Sequence, residues 1–404
     1  MDPLDVLTNL SMVAPHFQAI FTADERKVCG YEVLGRYQVG NKFMSLGPFF
    51  SDESVPDEYR AEVDDLVVKK AIEYWLEREV TPQLFINRNP NLLMRDNGES
   101  LLELLLGYEE KGFSLSKLVL EIREHDFVGD IEQLNHLLTY YRTFGIKVAV
   151  DNVGNGTSNL DRIGLLAPDF LKFDLHMLRK SNVHTSHQDV LYSLSLLARK
   201  IGAAMLYENI ETLYQLQYAW RNGGRYYQGY YLQNPTSEFV QEEILTEQLK
   251  AEIQQFIEHE KRKIQNIYQL REHIQNLVQE LLVKYKKLFT GDELLEVVSH
   301  HLTDFTFRIY ICDEDGFQQS ANHVKTSNGW ELQLEYYNKN WSFRPYFLEN
   351  IMKMKLEQRG ILSDLYSDIE TGEVIRTFSF PINQKNYLFI DLTYDFLYEK
   401  SALY

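Results

Sequence analysis

The chain has 404 residues, of which 44% are hydrophobic and 25% charged, and its formal net charge at pH 7 is −18. This length predicts two domains, and the composition is that of a globular protein. The acidic charge argues against a DNA or RNA polymer or an anionic membrane as a partner, because both require a basic surface. No apolar run is long enough for a membrane span, and the segment MDPLDVLTNL lacks the basic start of an export signal. Two cysteines, Cys29 and Cys312, cannot build a disulfide framework, so we expect a cytoplasmic protein.

The first 240 residues predict alternating strands and helices. Residues 16–37 predict a hairpin with its turn at DERK, and residues 57–78 predict a helix. Apolar runs such as KVAVD are typical of strands that are buried on both faces of a parallel sheet. The pattern predicts a TIM-like (β/α)8 barrel, in which the initial hairpin allows the first strand to run antiparallel. The remaining strands are expected at 83–88, 117–122, 147–153, 170–174, 203–208 and 226–232.

Polar residues of the kinds that bind metal or phosphate occur at the ends of these strands. In a parallel barrel the strand ends meet at one mouth, which is where such folds carry out their chemistry. Burying like charges together is costly. The large number of ionisable groups at one end of the sheet therefore indicates a function rather than a contribution to stability. The residues are Glu32, Asn87, Glu121, Glu124, Asp151, Asn152, Lys172, Asp174, Glu208, Glu211 and Gln228.

Four of these residues supply oxygen ligands from separate strand ends. Hard cations such as Mg²⁺ and Mn²⁺ prefer carboxylate and amide oxygens. The candidate ligands are Glu32, Asn87, Glu121 and Asp151. A second metal can share Asp151, and a pair of metals is a common device for phosphodiester hydrolysis.

Three other side chains have candidate roles beside the metals. Lys172 can orient a water or offset charge, Glu208 can accept the proton of that water, and Arg36 can hold a phosphate oxygen. Taken singly, each residue also has a structural interpretation. A carboxylate at a strand end is more often a helix N-cap, Lys172 can pair with Asp174, and Arg36 can pair with a surface acid.

Residues 243–289 predict one long helix that follows a barrel domain of residues 1–242. The segment from Glu242 to about Leu288 contains no Gly or Pro, and its apolar residues form an imperfect heptad seam. This seam predicts pairing of two chains into a homodimer, and the alternative is that it packs on its own chain. Its residues are Ile253, Ile257, Ile264, Ile267, Ile274, Val278 and Leu281.

Residues 290–404 predict a separate α+β domain. Strand-like segments such as FRIYICDEDG and NYLFIDL are separated by turn signals at DEDG and NQKN. The segment PYFLENIMKMKLEQ, near 345–358, predicts a helix between them.

Several segments of the barrel region resemble those of the EAL-domain family, in the same order, over roughly residues 15–240. The resemblance implies a barrel enzyme that linearises cyclic di-GMP to pGpG with Mg²⁺ or Mn²⁺, with Ca²⁺ inhibitory or non-productive. The segments are YEVLGR, LGPFF, LEIRE, VAVDNVGNGTSNLDRI, FLKFD, YENIET and YYQGYYL.

The same resemblance assigns roles to individual residues. The metal ligands are Glu32, Asn87, Glu121 and Asp151, with Asn152 at the position of a second-metal ligand. The catalytic residues are Glu32, Lys172, Glu208 and Glu211. The ligand-binding residues are Leu34, Arg36, Pro48 and Gln228, and Glu124 braces the loop after Asp151.

The C-terminal region resembles the PAS-like domains that accompany some EAL domains. It carries the segment NWSFRPYF, in which Trp341, Arg344 and Tyr346 are candidates for sensing an unknown small molecule. The alternative for these three residues is packing plus one buried salt bridge.

The barrel segments depart from the family pattern at several positions. Asn152 replaces a second Asp, and a neutral amide is a weaker ligand for a hard cation than a carboxylate. Imperfect positioning of this kind can cost about 10²-fold in rate. We therefore expect a cyclic di-GMP-binding protein with weak or conditional hydrolysis, and the alternatives are an inactive effector that signals through its C-terminal domain and a sensor whose barrel is vestigial. Further departures are Val33 for Ala, Val153 for Phe, Thr157 for Tyr, Tyr207 for Ala and Asn209 for Gly.

Overall fold

The computed structural model describes residues 2–78, 82–154, 159–179, 185–285, 291–344 and 347–400. Contacts within the chain divide it into two units, residues 1–254 and 255–404. Among the described helices, none is both long enough and apolar enough to cross a membrane.

The first unit contains nine strands and nine complete α-helices among the described residues, and a tenth α-helix begins in it. The strands are β1 (Val13–Thr22), β2 (Val28–Val39), β3 (Lys42–Ser45), β4 (Gln83–Asn87), β5 (Leu118–Ile122), β6 (Lys147–Val153), β7 (Phe170–Asp174), β8 (Ala204–Glu208) and β9 (Tyr226–Tyr227). The helices are α1 (Pro3–Thr8), α2 (Gly47–Ser51), α3 (Asp57–Leu76), α4 (Pro90–Leu93), α5 (Glu99–Glu109), α6 (Ile131–Thr143), α7 (Leu160–Leu166), α8 (Thr185–Ile201), α9 (Leu213–Arg221) and α10 (Thr246–Lys284).

Eight of these strands close into a barrel in the order β1-β2-β4-β5-β6-β7-β8-β9 and back to β1. Strand β1 runs antiparallel to both of its neighbours, β2 and β9. The remaining pairs around the ring are parallel, from β2 with β4 to β8 with β9. This arrangement confirms the predicted TIM-like barrel and its antiparallel first strand.

Strand β9 ends earlier than the sequence indicates, at Tyr227 instead of residue 232. Gly229 has a φ of +153° and lies so close to Ile210 that a Cβ atom would be 2.1 Å from the Ile210 carbonyl oxygen. The chain turns there, and Ile210 exchanges backbone hydrogen bonds with Gln228 and Tyr231. The aromatic run YYQGYYL therefore combines a short strand with a tight turn, because only glycine fits the close approach.

The second unit is an antiparallel sheet with helices on both faces. Its strands are β10 (Thr306–Asp313), β11 (Asn322–Thr326), β12 (Gly329–Gln333), β13 (Ile361–Leu362), β14 (Tyr366–Ser367), β15 (Val374–Pro381) and β16 (Asn386–Leu392), in the order β12-β11-β10-β16-β15-β13 with β14 on β15. Its further helices are α11 (Gly291–His301), α12 (Phe347–Glu357) and α13 (Tyr394–Glu399). The predicted α+β region is present.

Alternation along β10 separates two apolar clusters in this unit. Ile309 and Ile311 belong to a cluster with residues of α10 and α11, whereas Tyr310 and Cys312 belong to one with residues of α12. This period of two places the two sets of side chains on opposite faces of the sheet.

The C-terminal part of α10 packs on its own unit. Ile274, Val278 and Leu281 are buried in the cluster that includes Val298 and Ile390. For these three seam residues the alternative of packing on their own chain is therefore the one observed. Ile257 and Ile264 differ from them, with exposed fractions of 37% and 53%.

Candidate functional site

The barrel interior consists of an apolar layer beneath a polar one. Ile20, Phe85, Val119, Ala149, Phe170 and Leu206 form the apolar layer. Because side chains alternate along a strand, the residues two positions along each strand point inward again. The polar layer contains Gln18, Glu32, Asn87, Glu121, Asp151, Lys172, Glu208 and Gln228. The strand order thus brings together seven of the residues predicted from the sequence, and adds Gln18.

Lys172 stands at the centre of this layer with its side chain buried. Four carboxylates lie within 4.0 Å of its Nζ atom, which is 2.9 Å from Glu121, 3.1 Å from Glu32, 3.3 Å from Glu208 and 3.9 Å from Asp151. The alternative that Lys172 only pairs with Asp174 is not observed, since it lies among these acids. One ammonium cannot neutralise four carboxylates, so the layer carries excess negative charge.

The pKa values of the cluster reflect this excess charge. Burial raises the pKa of Glu121 well above its usual value, although Lys172 opposes the shift. Burial, followed by repulsion from Asp151, raises the pKa of Glu208 to about 8. Burial alone would lower the pKa of Lys172, but Glu121 and the other acids together raise it well above its ordinary value. The lysine therefore stays charged at neutral pH, and the acids retain a proton that a cation can displace.

Glu32 is held by hydrogen bonds from two amides and from the lysine. Asn87 Nδ2 donates to Glu32 Oε1 at 2.8 Å, and Gln228 Nε2 donates to Glu32 Oε2 at 2.6 Å. Gln228 Nε2 also lies 3.1 Å from Gln18 Oε1, which comes from the strand opposite Glu32. These bonds fix the carboxylate of Glu32 at the mouth.

Asp151 lies at an irregular point in β6, where the pairing with β7 shifts between Val150 and Val153. Its Oδ2 atom accepts a hydrogen bond from Arg123 Nε at 3.0 Å. Its Oδ1 atom is buried and has no hydrogen-bond partner among the described residues. A buried carboxylate oxygen without a donor is costly, and a bound cation would satisfy it.

Asn152, the next residue, has a φ of +62°. Asn and Asp tolerate this left-handed conformation better than other non-glycine residues. The replacement of a family aspartate by Asn152 therefore preserves the backbone and removes the charge.

The oxygen ligands at the barrel mouth are of the kinds that bind a divalent cation. Carboxylate oxygens and one amide converge at the mouth, and the unsatisfied Oδ1 of Asp151 is among them. In the described ranges, no group of three or more acids, histidines or cysteines is spaced as a ready-made metal cage. The acids at the mouth are arranged around the ammonium of Lys172, which explains why they are not spaced as metal ligands.

Glu124 is fully buried next to the loop that follows Asp151. Its Oε1 atom accepts a hydrogen bond from the backbone N–H of Asn159 at 3.2 Å. Arg162 donates to the backbone carbonyls of Glu124 and Phe127 on the same side. Residues 155–158, which include the substituted position Thr157, lie outside the described residues.

The other predicted site residues lie around the central cluster. Arg36 is half-buried on β2, and its Nη1 donates to the carbonyl of Gly35 at 3.0 Å. Leu34 is half-buried on the same strand, and Pro48 is exposed in the first turn of α2. Glu211 is half-buried before α9, and its carboxylate is not one of the four around Lys172.

Two of the departures in the Glu208 segment do not alter the polar layer. Tyr207 is fully buried, stacks on Phe173 with ring centroids 5.3 Å apart, and alternates with the inward-facing Leu206 and Glu208. Asn209 has a φ of +56°, a conformation that suits Gly and Asn, and its Nδ2 donates to Asp174 at 2.9 Å. Val153 is buried at the end of β6.

Sequence reasoning missed Gln18 and Arg123 as members of the site. Gln18 was detectable as the polar residue between apolar neighbours in HFQAIFT, and it pairs directly with Glu32 across the hairpin. Arg123 was detectable as the charge between Glu121 and Glu124 in LEIRE. Neither signal indicates by itself which partner the side chain contacts.

Comparison with known proteins identifies both parts of the chain. The EAL domain matches residues 7–235, and the EAL-domain associated signalling protein domain matches residues 239–404. The chain is 54% identical over 405 residues to the uncharacterised EAL-domain containing protein YkuI of Bacillus subtilis, with 100% of both chains covered. It is also 24% identical over 233 residues to the cyclic di-GMP phosphodiesterase NbdA of Pseudomonas aeruginosa, covering 57% of this chain and 30% of that protein.

Solved structures give the same relationship. The crystal structure of B. subtilis YkuI in complex with the substrate cyclic di-GMP and calcium aligns with a TM-score of 0.95 and 53% identity over 100% of both chains. The PaMucR phosphodiesterase in complex with cyclic di-GMP, at 19% identity and a TM-score of 0.52, shares the fold over 58% of this chain and 98% of its own. The barrel, its polar mouth and these matches together establish that the chain belongs to the EAL-domain family and carries the C-terminal domain associated with it.

Proposed function

We propose that the barrel mouth binds cyclic di-GMP together with Mg²⁺ or Mn²⁺ and hydrolyses it weakly or conditionally to linear pGpG. The observation that carries this proposal is the buried polar layer in which four carboxylates surround Lys172. The cyclic di-GMP complex of the 53% identical YkuI supports the choice of ligand.

The reaction would add one water across a phosphodiester bond. The water oxygen forms a new bond to phosphorus, the P–O bond to the ribose breaks, and the departing ribose oxygen takes up a proton. A bound divalent cation supplies a polarised phosphate and a more acidic water. Glu32, Asn87, Glu121 and Asp151 are the residues that would hold it.

The residues of the chain have distinct tasks in this proposal. The ammonium of Lys172 offsets the charge of the acids and orients the attacking water. Glu208 accepts the proton of that water at its carboxylate, which it can do once a bound cation has displaced the proton that its elevated pKa retains near neutral pH. Arg36, which has no carboxylate partner within 4.0 Å among the described residues, holds a phosphate oxygen, and Leu34, Pro48 and Gln228 line the ligand.

Two features support a slow rather than a fast enzyme. Asn152 offers a neutral oxygen where a second cation would profit from a charged one. Arg123 pairs with Asp151 at 3.0 Å and is a positive charge beside the carboxylate that two cations would share. Asn152 weakens the second metal and Arg123 opposes any metal at Asp151, whereas a two-metal hydrolysis needs both metals. Ca²⁺, which is larger and less demanding in geometry than Mg²⁺, should occupy the site without productive turnover.

The alternative is an effector that binds cyclic di-GMP without hydrolysing it and signals through the C-terminal domain. The same two residues, Asn152 and Arg123, favour this alternative. In either case we propose a cytoplasmic, homodimeric protein with a PAS-like C-terminal domain. The two free cysteines support the location, because Cys29 and Cys312 are half-buried and buried.

The decisive experiment combines turnover and binding on the full chain. Purified protein is incubated with cyclic di-GMP and Mg²⁺, Mn²⁺ or Ca²⁺, and pGpG is measured by chromatography beside a calorimetric titration. Metal-strengthened binding with slow pGpG formation in Mg²⁺ or Mn²⁺ supports the proposed enzyme. Binding without product supports the effector, and no binding with any metal refutes both.

A further inference from the structure

The strands β1, β2 and β3 continue the barrel wall beyond the polar layer. Strand β1 pairs with β2 as far as Val13 opposite Tyr37, and β3 pairs with the last residues of β2. Glu32, which belongs to the polar layer, precedes these residues on β2, and β2 runs toward the mouth. The three strands therefore form a wall that stands above the carboxylates at one edge of the mouth.

The pairing register determines which side chains of this wall face the mouth. Residues directly opposite each other share a face, and side chains alternate along each strand, so every second residue after Glu32 lies on the same face as Glu32. His16 lies opposite Leu34, and Phe43 lies opposite Gln38. Both aromatic residues are therefore on the mouth-facing side of the wall. Neither lies in a segment that resembles the EAL-domain family.

Phe43 and His16 form an aromatic platform on this face. Their ring centroids are 4.6 Å apart, and the ring planes meet at 57°. His16 is buried, whereas Phe43 is 44% exposed. Burial, followed by the nearby charge of Arg36, lowers the pKa of His16, so the imidazole beside Phe43 is neutral at pH 7. The Phe43 ring is thus held on one side by His16 and remains accessible to a ligand on another.

The position of the platform relative to the carboxylates suits a nucleotide. Leu34, which lies opposite His16, is two residues beyond Glu32, a separation of about 7 Å along a strand. In a nucleotide the base is separated from the phosphate by one sugar. A phosphate bound beside Glu32 and within reach of Arg36 therefore leaves its base close to the platform.

We propose that Phe43 is a base-binding residue, on whose exposed ring one guanine of cyclic di-GMP stacks. This inference rests on the function proposed for the barrel and adds a contact to the base of the ligand rather than to its phosphate. An aromatic ring accepts any base, because every base has a π-face. Phe43 therefore contributes affinity and position, and polar groups must select guanine.

The neighbouring residue Met44 offers a matched control. It is 43% exposed, nearly the same fraction as Phe43, and it follows Phe43 directly on β3. It lies on the opposite face of the strand, where it pairs with Tyr37. A change at Met44 therefore alters the same hairpin without changing the side that faces the mouth.

The test measures cyclic di-GMP binding to the full-length protein by calorimetry, with Ca²⁺ present so that turnover does not consume the ligand. Phe43→Ala and Phe43→Leu should each weaken binding by about tenfold or more, because both remove the stacking surface. Phe43→Trp keeps an aromatic ring and should bind within about threefold of wild type. Met44→Ala should bind as wild type does. The affinity of Phe43→Ala for Mn²⁺ alone should be unchanged, because the platform does not contact the metal ligands.

Tryptophan fluorescence gives a readout that a purely structural role of Phe43 would not change. The indole added in Phe43→Trp should be quenched when a guanine stacks on it. The signal is taken as the difference from wild type, which has four tryptophans of its own. Met44→Trp, with its indole on the other face of the hairpin, should show no such additional quenching.

Two groups of results separate this inference from the proposed function. Wild-type affinity in Phe43→Ala, an equal loss of affinity in Met44→Ala, or no additional quenching in Phe43→Trp would overturn the assignment of Phe43 and leave the proposed function standing. Failure of the wild type to bind cyclic di-GMP with any metal would overturn the proposed function, and the assignment with it.

Discussion

Arg123 and Asp151 form an ion pair at the barrel mouth, in which Arg123 Nε lies 3.0 Å from Asp151 Oδ2. The arginine is 54% exposed, whereas the carboxylate is 5% exposed. The pair therefore joins a solvent-facing cation to one of the predicted metal ligands. A metal that binds the free Oδ1 atom of Asp151 would lie close to this guanidinium, whose positive charge opposes metal binding.

The first prediction concerns removal of the positive charge of Arg123. Arg123→Thr should raise the affinity for Mn²⁺ by up to about fivefold, because a surface-accessible ion pair is typically worth up to about 1 kcal/mol. Calorimetry with Mn²⁺ alone, in the absence of nucleotide, measures the effect. Arg78→Thr, which changes an exposed arginine paired with Glu77, is the control and should leave Mn²⁺ affinity unchanged. Equal affinities of wild type and Arg123→Thr would show that the ion pair does not oppose the metal.

The second prediction concerns the missing charge at residue 152. Asn152→Asp should increase the rate of pGpG formation by about tenfold or more, because it restores a charged oxygen for a second cation. The left-handed φ of +62° can accommodate Asp, so the fold should persist. Asn97→Asp, at another left-handed asparagine with a φ of +53°, controls for the backbone effect. An unchanged rate with intact ligand binding would mean that another element, such as the loop or the dimer, limits catalysis.

The third prediction tests the metal ligands directly. Glu32→Ala and Asp151→Ala should each abolish metal-dependent binding or turnover of cyclic di-GMP. Neither change should unfold the chain, because removing one of four crowded carboxylates relieves like-charge repulsion. Thermal unfolding and calorimetry are measured together, with Glu25→Ala in an exposed turn as the control. Wild-type behaviour of either variant toward metal and ligand would show that the metal assignment is wrong.

The fourth prediction is a pH dependence of metal affinity. Burial and nearby Asp151 raise the pKa of Glu208 to about 8, and burial raises that of Glu121 well above its usual value. Below these pKa values the carboxyls hold protons that a divalent cation must displace, so Mn²⁺ affinity should rise as the pH increases through 8. Calorimetry in buffers of different ionisation enthalpy should also detect proton release on binding.

Glu208→Gln provides the internal control for this dependence. It removes one of the titrating carboxyls, so its Mn²⁺ affinity should change less steeply with pH than that of the wild type. A wild-type affinity that is independent of pH would contradict the elevated pKa values.

The sequence predicted the site well wherever the residues lie at the ends of parallel strands. Asn87, Glu121, Asp151 and Glu208 follow apolar runs, and closure of the barrel brings such ends to one mouth. The partners of each side chain were not predictable, because they depend on register and three-dimensional spacing. The sequence allowed Lys172 to pair with Asp174, whereas in the barrel it lies among four acids.

Other features escaped sequence reasoning for local reasons. The aromatic run after Tyr226 indicated a longer strand, because the pattern contains no sign that Gly229 must pass so close to Ile210 that a Cβ atom would not fit. Tyr207 departs from the family pattern within a site motif. Because side chains alternate along the strand, however, it is buried outside the barrel interior. A substitution within a motif therefore affects the chemistry only if its side chain faces the mouth.

The last prediction concerns assembly through α10. Ile274, Val278 and Leu281 are buried within the chain's own C-terminal unit, so they cannot form a seam with a second chain. Ile257, Ile264 and Tyr268 remain 37%, 53% and 56% exposed on the same helix, and a row of apolar residues of this kind favours a partner. Light scattering of the full-length protein should give the mass of a dimer at micromolar concentration.

Two double variants test whether these residues form the contact. The double variant Ile257→Glu with Ile264→Glu should shift the protein to monomer, because the new glutamates repel each other across the contact. Gln265→Glu with Gln269→Glu adds the same charge at exposed polar positions of the helix and should leave the dimer intact. A monomeric wild type, or equal dissociation of both double variants, would eliminate these residues as the basis of pairing.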